Sequence, residues 1–346
     1  MNPICRFWTA ALLAAGTAVS TTTLLAAEPS VEITPREGWS AMFGGEEVKR
    51  GYVVAGQAPL EGRIVWSYSA QRRTIARGEL SANVGPHGPI TIEIFLRLPE
   101  VREGIAYDTE LRLQLVDDRQ NVAAEHNRVI RLFPRDAFAD RREWLDRLKI
   151  VLYDPTEKTE KTFDEAEVPY TYMRSLTALK ATSEGMVVIG EGVSWTDYPA
   201  LPEALVELAA GGRSVLCLAP ADGYLVFPGV EQGQPKPGRV SLRRNDVIGE
   251  LDKRLDADAW PPRGEMVAAA VQPTSRSGRV VLAVTDSPEA WPWLEVAYPG
   301  GGRLIVCGFG LIDHWQAGPT PRYLLVRVFE RLSQGAETPR NSLEQE

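Results

Sequence analysis

Five acids follow apolar runs in this chain: Asp154 after LKIVLY, Glu191 after MVVIG, Asp222 after LCLAPA, Asp286 after VVLAVT and Asp313 after GFGLI. A carboxylate in such a place can serve as general acid or base, accept a sugar hydroxyl, or hold a hard cation. Tyr153, Trp195, His314 and Trp315 stand beside these acids, and aromatic faces next to carboxylates suit sugar rings. The candidate ligand-binding set is therefore Asp154, Glu191, Trp195, Asp222, Asp286, Asp313, His314 and Trp315. The same acids have a plainer use, because Asp after a strand is a natural turn and helix-capping residue. A second constellation is Ser194, Asp286 and His314, which have the Ser-Asp-His order of α/β-hydrolases. Gly192-Val193-Ser194 also follows an apolar run, as a nucleophile elbow does. Thr196 stands where the elbow's closing glycine belongs, and no helix is expected before Pro199, so Ser194 reads as a loop or capping residue ahead of a nucleophile.

Other chemistry finds little material. The chain has three His and three Cys. It carries no HExxH, no GxxxxGK[ST] and no GxGxxG, so neither a metal nor a cofactor is expected. Cys217 and Cys307 lie inside apolar runs and read as buried free thiols, since Cys packs as a small hydrophobe. His87 and His126 read as surface histidines. A net charge of −8 argues against nucleic acid as the main partner.

The elements that must position these residues fall into two regions. Residues 1–27 read as a signal peptide, with Arg6 before an apolar stretch from Phe7 to Val19 and small residues at 18–20 and 25–27. Export to the periplasm or the outside follows, with no membrane span once the leader is removed; retention of the leader as an anchor is the alternative. Residues 28–135 hold about seven short strands divided by turn signals and no helix. Leu111, Leu113 and Leu115 alternate with Arg112 and Gln114, the period of a half-buried strand. This predicts an all-β, immunoglobulin-like sandwich. A charged amphipathic helix over 136–147 then serves as linker and hinge.

From 148 to 333 strands and helices alternate, which predicts an α/β doubly wound parallel sheet. Its centre is MVVIGEG through LVELAAGG to SVLCLA, a complete βαβ unit with continuous apolar strands. Thr156 to Ala166 reads as a helix with Thr162 and Glu165 at capping-box spacing. Residues 224–279 break the rhythm and read as an insertion over the upper edge of the sheet. GRVVLAVTD and GGGRLIVCGF return to it, and a last helix starts near Pro321. Residues 334–346 read as a disordered tail.

On these motifs (YDP before a Thr-rich helix, VVIGEG, LVELAAGGRSVLCLAP, and GGGRLIVCGF leading to PTPRYLLVRVFERL) the second region resembles a class I glutamine amidotransferase-like, flavodoxin-type domain. It is similar to the degenerate forms in exported bacterial proteins and in modules attached to β-galactosidase-type glycosidases. The resemblance implies a Cys nucleophile on a tight turn after the central strand, yet the turn here is Ala219-Pro220-Ala221-Asp222-Gly223. His314 is followed by Trp315-Gln316, not by the Pro-Glu of the family. Amidotransferase chemistry is therefore expected to be lost. The function expected is an exported binding or accessory protein that recognises carbohydrate or a protein partner; the alternative is a glycan- or ester-directed hydrolase using the acidic strand ends.

Overall fold

The computed structural model describes residues 31–334 apart from 58, 86–87 and 230–231. The leader at 1–27, His87 and the tail from 335 lie outside the described residues.

The first region is a sandwich of eight strands. A sheet in the order β1 (Val31–Pro35), β3 (Glu47–Gly56), β6 (Ile90–Arg97) faces a second sheet. The second runs β2 (Ala41–Phe43), β8 (Val122–Phe133), β7 (Tyr107–Asp117), β4 (Leu60–Ala70), β5 (Arg73–Val84). Leu111, Leu113 and Leu115 are fully buried against Tyr52, Val54, Ile92 and Ile94 of the facing sheet. The eighth strand is the short β2, which lies parallel to the end of β8 and has all three residues buried.

The hinge is corrected. Only α1 (Arg142–Arg147) is helical between the regions. Asp136 turns the preceding chain by accepting the Phe138 N–H at 2.8 Å, and this local bond competes with a helix. Phe138 and Leu145 are buried in one core with Phe163 and Phe329. The junction is packed, with the Tyr323 hydroxyl donating to the Pro134 carbonyl at 3.1 Å. Asp256 accepts the N–H groups of Ser40 and Ala41 at 2.8 and 2.7 Å.

The second region contains β9 (Ile150–Tyr153), α2 (Lys158–Glu165), β10 (Tyr170–Tyr172), α3 (Leu176–Ala181), β11 (Val187–Ile189), α4 (Leu201–Ala210) and β12 (Ser214–Leu218). It continues with β13 (Tyr224–Val226), β14 (Arg239–Arg243), α5 (Asp246–Leu251), β15 (Ala270–Arg276) and β16 (Arg279–Thr285). It ends with β17 (Trp293–Ala297), β18 (Arg303–Cys307) and α6 (Pro319–Ser333). A seven-stranded sheet has the order β10-β9-β11-β12-β18-β17-β14. Its first five strands are parallel, and β17 and β14 run antiparallel to their neighbours. Ile150, Leu152, Val188 and Leu216 point to the layer of Phe163 and Phe329. Val151, Val187, Ile189 and Val215 point to that of Leu179, Leu201 and Leu205.

Two expectations change. The run 278–286 is not a strand of this sheet: it is β16, in a separate antiparallel sheet β13-β16-β15. Ser277 and Gly278 both have positive φ, at 51° and 77°, and close a tight hairpin between β15 and β16. Residues 224–279 also do more than cover an edge, because β14 joins the main sheet beside β17. Cys217 and Cys307 are free and buried, on adjacent strands but facing opposite layers.

Candidate functional site

Asp154 leaves the end of β9 fully buried. Its carboxylate accepts the backbone N–H groups of Thr159 and Glu160 at 2.7 and 2.9 Å, and the Thr156 hydroxyl at 2.6 Å. It thus caps the first turn of α2, where N–H groups lack intrahelical partners. The expected Thr162–Glu165 cap does not form: Thr162 sits inside the helix and its hydroxyl donates to the Lys158 carbonyl. A side chain at Gly190 would place a Cβ 2.3 Å from an Asp154 oxygen, so the end of β11 must be bare for the carboxylate to fit.

Glu191, one residue on, is also buried. Its two oxygens accept the N–H groups of Ile312 and Asp313 at 2.9 and 3.0 Å, pinning the turn that follows β18. Its own N–H donates to Thr159 Oγ1 at 2.8 Å, tying the three loops together. Lys158 Nζ lies 3.7 Å from Glu191 and pairs with Asp313. Burial pushes the Glu191 carboxyl up to about 7, against the pull of the two N–H donors and Lys158. Lys158 and Thr159 were not in the sequence-derived set; they sit in an acidic, Thr-rich helix start that offered no motif.

The remaining candidates do not join this group. Asp222 accepts the Ser194 hydroxyl at 2.7 Å and the Thr196 N–H at 3.1 Å. The bond from Ser194 holds the Asp222 carboxyl below its usual range. Ser194 Oγ in turn accepts the Asp197 N–H at 3.0 Å, so it caps the turn before α4. Asp286 is exposed at the end of β16, in a shallow cavity with Arg244, Met266 and Ala290. The His314 ring stands edge-on to Trp260, with centroids 6.1 Å apart. No hydrogen bond links Ser194 to His314 or Asp286 among the described residues, and the Ser-Asp-His constellation is not assembled. Trp195 is buried in the α4 layer, and Trp315 is buried beneath the Arg322 guanidinium. No three His, Cys, Asp or Glu side chains group as a metal site among the described residues.

The end of β18 is covered. Ala268 and Ala269 both donate N–H bonds to the Gly308 carbonyl at 2.9 Å, and Gly310 donates to Met266 at 2.9 Å. A Cβ at Gly308 would lie 1.9 Å from the Ala269 carbonyl. Residues 266–271 therefore press on the end of β18 where a cleft was expected. Beside it, Ala219 to Ala221 supply no nucleophile.

Open space lies elsewhere. A cavity of about 660 Å³ runs between the outer face of α4, β13 and the β15–β16 hairpin. Glu203, Glu207, Tyr224, Gln234, Arg276 and Arg279 supply its polar lining, and Pro199, Pro202, Pro228 and Pro235 stiffen its walls. The Arg276 guanidinium lies 4.2 Å from the Tyr224 ring centroid. Of the sequence-derived residues only Trp195 touches this groove. Glu203 and Glu207 lie on α4, and their neighbours in the groove come from a hairpin about seventy residues away.

Comparison with known proteins adds similarity of low degree. No family model and no curated protein matches the chain. Among solved structures, the sporulation control protein Spo0M of Bacillus subtilis matches 35% of this chain and 56% of its own, at 14% identity and a TM-score of 0.26. A Niemann-Pick type C2 protein from Japanese carpenter ant matches 31% of this chain and 96% of its own, at 5% identity and a TM-score of 0.23. A glycosyl hydrolase family 2 member from Bacteroides cellulosilyticus DSM 14838 matches 55% of this chain and 36% of its own, at 12% identity and a TM-score of 0.24.

Proposed function

We propose that the chain is an exported, non-catalytic binding protein: an immunoglobulin-like sandwich on a doubly wound, amidotransferase-like domain that has no nucleophile. Its ligand is a carbohydrate taken in the groove over α4 and β13. The observation that carries this reading is the covering of the β18 end by residues 266–271. The end of β18 is occupied by the protein's own backbone, and at the β9–β11 switch point, where an open α/β sheet ordinarily binds ligands, the Asp154 and Glu191 carboxylates are engaged by N–H groups of the chain. Asp154, Glu191 and Asp222 hold loops through N–H bonds, and Asp313 pairs with Lys158. The groove has what sugar hydroxyls need: planar donors and acceptors on Glu203, Glu207, Gln234, Arg276 and Arg279, with an aromatic ring at Tyr224.

A glycan array with the mature chain tests this directly. The expected result is binding that Tyr224→Ala and Arg276→Ala each weaken at least about tenfold, without a change in melting temperature, because both residues are exposed. A silent array, with the same variants instead losing a protein partner, would replace the sugar by a protein. Labelling of Ser194 by a fluorophosphonate probe would overturn the non-catalytic reading.

A further inference from the structure

Two arginines flank the turn at the tip of the β15–β16 hairpin. Arg276 and Arg279 stand directly opposite each other in the register of the two strands, with only Ser277 and Gly278 between them. Like charges in this relation repel, so a hairpin built for stability alone gains nothing from the pair. Both residues line the groove of about 660 Å³.

The two differ in what they already touch. Arg279 is engaged within the chain. Arg276 has the Tyr224 ring, whose centroid is 4.2 Å from its guanidinium, and among the described residues it has no carboxylate and no hydrogen-bond acceptor. Contact with the ring face holds the guanidinium in place while its N–H groups stay available. On the α4 wall, Glu207 pairs with Lys180 at 2.5 Å. Glu203, one helical turn earlier, feels the same lysine but makes no hydrogen bond or ion pair among the described residues. The groove thus offers an open fork of donors on its hairpin wall and an open pair of acceptors on its helix wall.

We infer, on the reading that the groove takes carbohydrate, that it selects an acidic sugar: a uronic acid whose carboxylate meets Arg276 and whose hydroxyls donate to Glu203. Guanidinium and carboxylate match as planar groups joined by two parallel bonds, a recognition that Lys does not reproduce. A neutral sugar would offer Arg276 only hydroxyl oxygens, which accept less strongly than an ionised group. Glu203 repels a second negative charge on the helix wall, so the groove reads a sugar with its charge on one side and its hydroxyls on the other. Tyr224 is then the positioning residue of Arg276. The opposed pair of arginines at the hairpin tip has a use in this arrangement, since a bound carboxylate lowers their mutual repulsion.

Calorimetric titration of the full mature chain with trigalacturonic acid and with its methyl ester tests this, because esterification removes the charge and keeps the sugar. The acid should bind at least about tenfold tighter, and the gap should narrow as salt is raised. Arg276→Gln should bring acid and ester to within about twofold of each other, and Arg276→Lys should restore only part of the gap. Glu203→Gln should weaken both ligands alike, because it meets hydroxyls. Equal binding of acid and ester by the wild type overturns the acidic assignment and leaves carbohydrate as the ligand. A preference for dextran sulfate over dextran, with none for the acid over its ester, overturns it in favour of a sulfated sugar. Silence toward both galacturonides also overturns it, and the glycan array then decides whether the carbohydrate reading falls as well.

Discussion

Two of the polar clusters among the described residues differ in how their hydrogen bonds are met. At the strand ends, Asp154 and Glu191 are buried acids whose oxygens all receive donors from the chain itself. In the sandwich, Arg50, Tyr52, His126 and Arg128 each keep an atom with no partner. The first arrangement is complete and explains itself as loop anchoring; the second rests its guanidinium ends on main-chain carbonyls, with Glu37 as the nearby counter-charge of Arg50. Residue type pointed to the acids as the ligand site, whereas their state of pairing makes Asp154 and Glu191 anchors. A buried polar group speaks for a ligand when the protein has not already supplied its partners.

The largest effect that would break this contrast belongs to Asp154. Asp154→Ala leaves two helix N–H groups and a hydroxyl without their acceptor, and should cost about 3 kcal/mol in urea unfolding. A loss below roughly 1 kcal/mol would mean that the carboxylate is not an anchor. Gly190→Ala should cost about 2 kcal/mol, because its Cβ collides with that same carboxylate. The double variant should cost less than the two losses together, since the collision vanishes with the aspartate.

Glu191 sharpens the contrast through pH. Below its ordinary value of 4.5 the carboxyl is neutral in the folded and unfolded chain alike, and it has no effect. As the pH rises toward 7, the unfolded chain ionises first, so stability falls by up to roughly 3 kcal/mol and then levels off. Denaturant midpoints measured from pH 4.5 to 7.5 should show this decline in the wild type and not in Glu191→Gln. An equal slope in both would place the titration elsewhere. The smallest expected effect is that of Tyr52→Phe, within about 0.5 kcal/mol of wild type, because the lost hydroxyl makes no well-placed hydrogen bond. A cost as large as that of Asp154→Ala would erase the distinction between the clusters.

Much of the fold was legible in the chain. Alternation placed the sandwich strands, and the continuous runs around Val188 and Leu216 placed the centre of the seven-stranded sheet. Strand direction was not legible. VVLAV in β16 and WLEVA in β17 are apolar enough for either orientation, and only the Ser277-Gly278 turn hinted at a hairpin. The site was less readable than the fold. The groove draws on α4, β13 and a distant hairpin, which no local spacing links. The sandwich cluster did leave a trace: Arg50 and Arg128 each fall on the inward period of a strand, in step with Val54 and Ile130. A charge in phase with a core stripe is a signal that the strand-end acids, at loop positions, lacked.

The pairing of β12 with β18 has a consequence for biosynthesis. The two strands lie side by side, yet the second is made about ninety residues after the first. Until it emerges, β12 presents an unsatisfied hydrogen-bonding edge, and α6 must follow before one layer of the sheet is covered. A nascent chain stopped before Pro319 would hold a finished sandwich attached to a half-built sheet, a natural substrate for chaperones or for aggregation.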